Sequence, residues 1–200
     1  MIDLKTAFDS NLRHHRFTVH DFSTMAKSGI FEEDDRVELI EGEIVEMTPI
    51  GSQHWGHVER LNWLLSQKLD LREVIIATQN SVTLSPYSEP EPDIAVVRFR
   101  EDFYTIRHPS PDEILLIIEV ADSSLEYDRL IKMPVYAHAQ VPEAWIVNLS
   151  DRVIEVFRDP TDSGYKSSFI AQSDEVLSPL RLPFLQIKPT DILLPRESAS

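Results

Sequence analysis

Cysteine is absent from the 200 residues. That excludes disulfides, thiol nucleophiles, iron–sulfur clusters and every cysteine-ligated zinc site, and it is compatible with a reducing cytoplasm. The glycine-based catalytic signatures are missing as well. There is no Gly-x-Ser-x-Gly elbow, no phosphate loop ending in Gly-Lys-Ser/Thr and no Gly-x-Gly-x-x-Gly, and His-Glu-x-x-His is also absent. Serine-hydrolase and nucleotide-dependent chemistry therefore find no support. No apolar run approaches the ~18 residues of a membrane span. Residues 1–30 lack the basic start and apolar core of a signal peptide, so the expectation is a soluble, cytoplasmic protein without membrane association. Basic residues are in short supply too: 19 Lys and Arg face 34 Asp and Glu, a net charge of −15. Phosphate contacts normally come from Lys and Arg, so this balance weighs against nucleic-acid binding. Part of the excess is local, since Glu32 to Glu46 holds eight acids against Arg36 alone.

What is present suffices for a packed core: 42% of residues are hydrophobic and 26% charged. The length suits one domain, expected over 17–193, after a loosely held segment 1–16 and before a tail 194–200. Phe17 to Ile30 predicts a short helix with Thr18 as N-cap and Gly29 near its end. Alternation from Arg36 to Thr48 around Glu41-Gly42 predicts a β-hairpin. A helix of about seventeen residues follows Gly51-Ser52, with Val58, Leu61, Leu65 and Leu69 as its apolar stripe. Ile75–Leu84 reads as a strand, and the prolines of the loop 85–92 forbid pairing there. Asp93–Val97 and Ile114–Val120 read as strands. Ser123 and Glu126 have the spacing of a capping box for the next helix, whose stripe would be Tyr127, Leu130, Ile131, Pro134 and Val135. Pro134 should loosen that helix near Lys132. Strands at Glu143–Asn148 and Val153–Arg158, and one or two more before Ile192, complete a mixed α/β (α+β) sheet domain.

One residue stands out in this pattern. Ile114-Leu115-Leu116-Ile117-Ile118 reads as a strand covered on both faces, and it runs straight into Glu119. A carboxylate there must be paired, protonated or bound to a cation, because an isolated buried charge is very costly. Asp93 opens the preceding strand, and Lys132 lies about two turns into the following helix. Two carboxylates can hold a divalent cation that polarises a phosphate and lowers the pKa of a bound water. A nearby ammonium can orient that water or neutralise developing charge. With seven histidines and no thiols, such a site would be oxygen-rich and suited to Mg²⁺ or Mn²⁺. Plainer readings stand beside this one. Asp93 could simply mark entry to a strand. Lys132 is four residues from Asp128, an ordinary helix-surface pair.

The segments Glu91-Pro92-Asp93, Glu119-Val120-Ala121-Asp122-Ser123-Ser124, Asp128, Lys132, Tyr136 and Val141-Pro142-Glu143-Ala144-Trp145 resemble the Uma-type restriction endonuclease family of the PD-(D/E)XK superfamily. Val37-Glu38-Leu39-Ile40-Glu41-Gly42-Glu43 and His54 fit the same pattern, and the likeness spans roughly 17–193. The resemblance implies a restriction-endonuclease-like core: a central mixed sheet flanked by helices, with an N-terminal helix and a β-hairpin. It implies metal ligation by Asp93 and Glu119 and catalysis by Asp93, Glu119 and Lys132. The superfamily lysine usually stands two residues after the second acid. That place is Ala121 here, so the role passes to Lys132.

Glu41 and Glu43 could add a carboxylate from the hairpin, and His54 and Asp128 could support the site. His54 and His57, an i, i+3 pair at a helix start, could contact phosphate or metal, though helix-surface histidines are more often plain polar residues. Trp55, Trp63 and Trp145 are expected in core or interface. The leading expectation is a Mg²⁺- or Mn²⁺-dependent endonuclease acting on phosphodiester bonds, with nucleic acid, chiefly DNA, as substrate. The alternative is a nuclease fold without turnover, acting through protein partners, with a homodimer among the expected assemblies. A hydrolase of a smaller phosphate ester is a third reading.

Overall fold

The structure, a computed structural model, describes residues 14–32 and 34–193. Residues 1–13 of the segment expected to be loose, and the tail 194–200, lie outside the described residues. Arg16, at the start of the described chain, is tied to Glu41 by an ion pair of 2.9 Å.

Helix α1 (Val19–Lys27) begins at Thr18, whose hydroxyl accepts from the Asp21 amide while the Asp21 carboxylate accepts from the Thr18 amide. This reciprocal cap satisfies two otherwise orphaned donors. Strands β1 (Val37–Ile40) and β2 (Glu43–Glu46) form the expected hairpin, a two-stranded sheet of its own. Its turn needs left-handed backbone at Glu41 (φ 52°) and Gly42 (φ 85°). A Cβ at Gly42 would come within 2.6 Å of Arg16 Cβ, so both conformation and space call for glycine.

Helix α2 (Ser52–Lys68) lays Val58, Leu61, Leu65 and Leu69 against the main sheet, as its periodicity predicts. The sheet has six strands in simple sequential order: β3 (Val74–Thr78), β4 (Ile94–Arg98), β5 (Ile114–Ala121), β6 (Glu143–Asn148), β7 (Val153–Thr161) and β8 (Gly164–Ala171). All neighbours are antiparallel except β5 and β6. That parallel pair requires a crossover, which helix α3 (residues 125–138) supplies. Every residue of β5 is buried, because α2 and the C-terminal turns cover one sheet face and α3 the other. Alternate residues serve the two cores: Leu116, Ile118 and Val120 pack with α2, and Ile117 and Ala121 pack with α3. A short helix α4 (Pro189–Ile192) closes the described chain.

Three local expectations need correction. The strand expected over 75–84 pairs regularly only as far as Thr78; Gln79 turns to φ 49°. Its continuation faces the proline-rich loop, where Pro90 and Pro92 have no N–H to give to a ladder. Ser123 and Glu126 do not form a capping box. Helix α3 begins one residue later, and it is Ser124 whose hydroxyl donates, to Asp128. Helix α3 consists of an α turn (Leu125–Tyr127), a π-helical stretch (Asp128–Lys132) and an α segment (Met133–His138). The wide turn leads directly into Met133-Pro134, as expected of a helix that must accommodate a proline. It also turns the middle of the predicted stripe outward, while Val135 stays in the core and Tyr127 is half-buried. Leu130 is 70% exposed, and Ile131 and Pro134 are exposed too, whereas Asp128, Lys132, Met133 and Tyr136 are buried. Of the tryptophans, Trp145 fills the core, but Trp55 and Trp63 are exposed on α2.

Candidate active site

Sheet register brings the two acids together. Ile94 of β4 faces Ile118 of β5, so the residue entering β4 meets the residue near the end of β5. The Asp93 amide donates to Glu119 Oε2 (3.3 Å), and the Val120 amide donates to Asp93 Oδ2 (2.9 Å). Glu119 shares the sheet face of Ile117 and Ala121, the face covered by α3. From that helix Lys132 Nζ lies 3.2 Å from Glu119 Oε1, and the Tyr136 hydroxyl donates to the same oxygen. The π turn carries Asp128 and Lys132 inward together.

His54, in the first turns of α2, places Nε2 2.9 Å from Asp93 Oδ2. Asp93 Oδ2 is thus doubly contacted, while Oδ1 has one long contact, the Gln79 amide at 3.4 Å. His57 turns away and hydrogen-bonds the Gln53 carbonyl. The hairpin does contribute a carboxylate, but it is Glu38. Glu41 is engaged with Arg16 and Ser88 on the surface, and Glu43 is exposed; neither lines the site. Glu38 is buried, and its Oε2 lies 3.4 Å from Lys132 Nζ. The sequence held a usable signal for it. Val37-Glu38-Leu39-Ile40 repeats in miniature the feature that exposes Glu119, a carboxylate inside a short apolar strand.

Among the described residues, four acids (Glu38, Asp93, Glu119, Asp128) therefore share one buried neighbourhood with a single lysine. They line a cleft of about 440 Å³ between the hairpin side (Arg36, Glu38, and Val45 through Gly51) and the start of α3. The electrostatics follow from burial and imbalance. Burial pushes the Glu119 carboxyl up to about 8 despite Lys132, with Asp128 and Asp93 adding like charge. Burial likewise lifts Asp128 to about 6. Burial opposes the Lys132 ammonium, but Glu119, Glu38 and Asp128 outweigh it and hold its pKa above the ordinary value. A region with more buried negative than positive charge favours taking up a proton or a further cation. Among the described residues no three His, Asp or Glu side chains form a ready-made metal cage. The donors at hand are nonetheless hard carboxylate oxygens, the type that Mg²⁺ and Mn²⁺ take.

The mixed sheet and its helices on both faces define a restriction-endonuclease-like α/β domain. A family model described as "Uma2: Putative restriction endonuclease" matches residues 19–190, and the chain belongs to that family. Among solved structures, a protein from Anabaena variabilis ATCC 29413, described as a putative nuclease, is similar with a TM-score of 0.68 at 15% identity. The match covers 88% of this chain and 97% of that one, so the two share a fold. No curated protein sequence matches the chain.

Proposed function

We propose that the protein is a divalent-cation-dependent endonuclease that hydrolyses phosphodiester bonds in DNA. The observation that carries this reading is the convergence of Asp93, Glu119 and Lys132 at the floor of an open cleft, from three separate elements. Membership of a restriction endonuclease family supports it. Asp93 and Glu119 are the residues to hold Mg²⁺ or Mn²⁺. Such an ion supplies polarisation of the phosphate and a water of lowered pKa. The chain's own residues supply the rest. His54 and the Val120 amide hold Asp93 Oδ2, leaving Oδ1 as the less encumbered oxygen. Glu119 has to give up its proton to act as a ligand. Lys132 sets a positive charge beside the reacting phosphate, where it stabilises charge developing in the transition state. Asp128, hydrogen-bonded by Ser124, adds to the field that keeps Lys132 charged.

The test is nicking of supercoiled plasmid DNA by the purified protein with Mg²⁺ or Mn²⁺, with chelator as control. Wild type should cut only with the metal, and Asp93→Ala should lose cutting while retaining its fold. Equal inactivity of both over varied DNA substrates sinks the reading.

A second reading, a binding module without turnover, draws support from the net charge of −15. Mn²⁺ melts separate the outcomes. A functional acid pair raises Tm with Mn²⁺ and loses the rise in Glu119→Gln; a module without metal shows neither.

A further inference from the structure

The lysine of the cluster approaches the acids from α3, because position 121 on the acid-bearing strand is alanine. An ammonium on a flexible four-carbon stem has little directional preference of its own, so something must aim it. Glu38 is in place to do so. It is only 1% exposed, on a four-residue strand where an apolar side chain would pack at less cost. Both its oxygens are fixed: the Tyr127 hydroxyl donates to Oε1 at 3.0 Å and the Glu91 amide donates to Oε2 at 3.1 Å. Those donors belong to α3 and to the loop that delivers Asp93. The hairpin carboxylate is thereby registered against the two elements that carry the lysine and the first acid. Lys132 Nζ then sits between Glu38 Oε2 (3.4 Å) and Glu119 Oε1 (3.2 Å), with the lysine only 4% exposed.

We infer that Glu38 is a positioning residue for Lys132, supplying the second carboxylate that holds the ammonium beside Glu119 in place of the usual strand-borne lysine. The inference rests on the nuclease reading for its kinetic consequence, but not for its geometric one. Glu38 acts through Lys132 and not on the phosphate.

The experiment is a double-mutant cycle on plasmid nicking with Mn²⁺, together with a crystal structure of Glu38→Gln. Partners that orient a reacting group commonly matter 10- to 100-fold, so Glu38→Gln should lower kcat by about that factor and move KM by less than about twofold. In a Lys132→Met background, adding Glu38→Gln should cost no more than about a further twofold, since its effect passes through the lysine. Losses that multiply overturn the inference, as does wild-type kcat in Glu38→Gln. Should Glu38→Gln fail to fold, Glu38→Asp is read instead: it keeps the charge but draws it back, and an unchanged kcat overturns the inference. If wild type cuts no DNA, the nuclease reading falls, and the crystal structure alone decides this one. Lys132 Nζ more than 4 Å from Glu119 in the variant supports it; Nζ retained beside Glu119 overturns it.

Discussion

At the residue scale, Glu119 explains the character of the site. Its carboxyl is buried with only one nearby ammonium for several acids, and burial lifts it to about 8 from an ordinary 4.5. Between those values the folded state holds a proton that the unfolded chain has released. Folding stability therefore falls as pH rises from about 4.5 to about 8 and then levels off. Glu119→Gln removes this dependence. The difference in Tm, variant minus wild type, should grow from pH 5 to pH 8 in metal-free buffer; a constant or shrinking difference counts against the protonated carboxyl. Asp128, raised to about 6, adds a smaller fall between 3.8 and 6 that Glu119→Gln leaves in place. His54 bears on Asp93 in a different way. With His54→Ala, Asp93 Oδ2 keeps only the Val120 amide, and the Mn²⁺ concentration that gives half of the stabilising Tm shift should rise about 10- to 100-fold. An unchanged Mn²⁺ midpoint would show that the histidine does not orient the acid.

At the element scale, α2 shows how one face carries the stability. Leu61 is fully buried between helix and sheet, whereas Trp63 is 60% exposed. Leu61→Ala should cost about 2–5 kcal/mol and Trp63→Ala only about 0.5 kcal/mol or less, read from urea unfolding midpoints. Comparable costs would mean that Trp63 packs against something in solution. The hairpin turn makes a similar contrast. Gly42→Ala meets both a left-handed backbone and Arg16 Cβ at 2.6 Å, so it should destabilise by about 1–3 kcal/mol. Helix α3 shows the opposite arrangement to α2. Its π turn directs Asp128 and Lys132 into the protein and leaves Leu130 and Ile131 outside, so the site is built at the expense of part of an apolar stripe.

At the scale of the whole molecule, the net charge of −15 must be carried by a compact body. Self-repulsion of this size destabilises the folded state and is screened by salt. Tm should rise between about 10 and 150 mM NaCl, as followed by calorimetry. A falling Tm would show that ion pairs such as Arg129–Glu155 outweigh the repulsion. The same charge sets the terms for any nucleic-acid substrate, which must approach an acidic cleft whose lining, among the described residues, has Arg36 and Lys132 as its strong bases. Added cations are then expected to ease that approach by screening the repulsion. Among the described residues no helix is long and apolar enough to cross a membrane.

Much of this was decided locally and is legible in the chain. The cap at Thr18, the Glu41-Gly42 turn, the seventeen residues of α2 and the oily run into Glu119 depend on neighbours a few positions apart, where hydrogen bonding and periodicity act directly. Family likeness marked Asp93, Glu119 and Lys132. What the sequence could not decide was which distant residues meet. Glu38 joins the site because the hairpin docks over the start of α3, while Glu41 and Glu43, nearer its turn, stay outside. Asp93 meets Glu119, 26 residues on in the chain, because β4 and β5 pair with Ile94 opposite Ile118. Lys132 faces inward because a wide turn and a proline shift the helix phase, overriding the Leu130–Ile131–Pro134 part of an apolar stripe that reads well in sequence. Local pattern sets the elements, since its energies act over short spans of chain. Only packing selects the register and helix phase that turn four scattered acids and one lysine into a site.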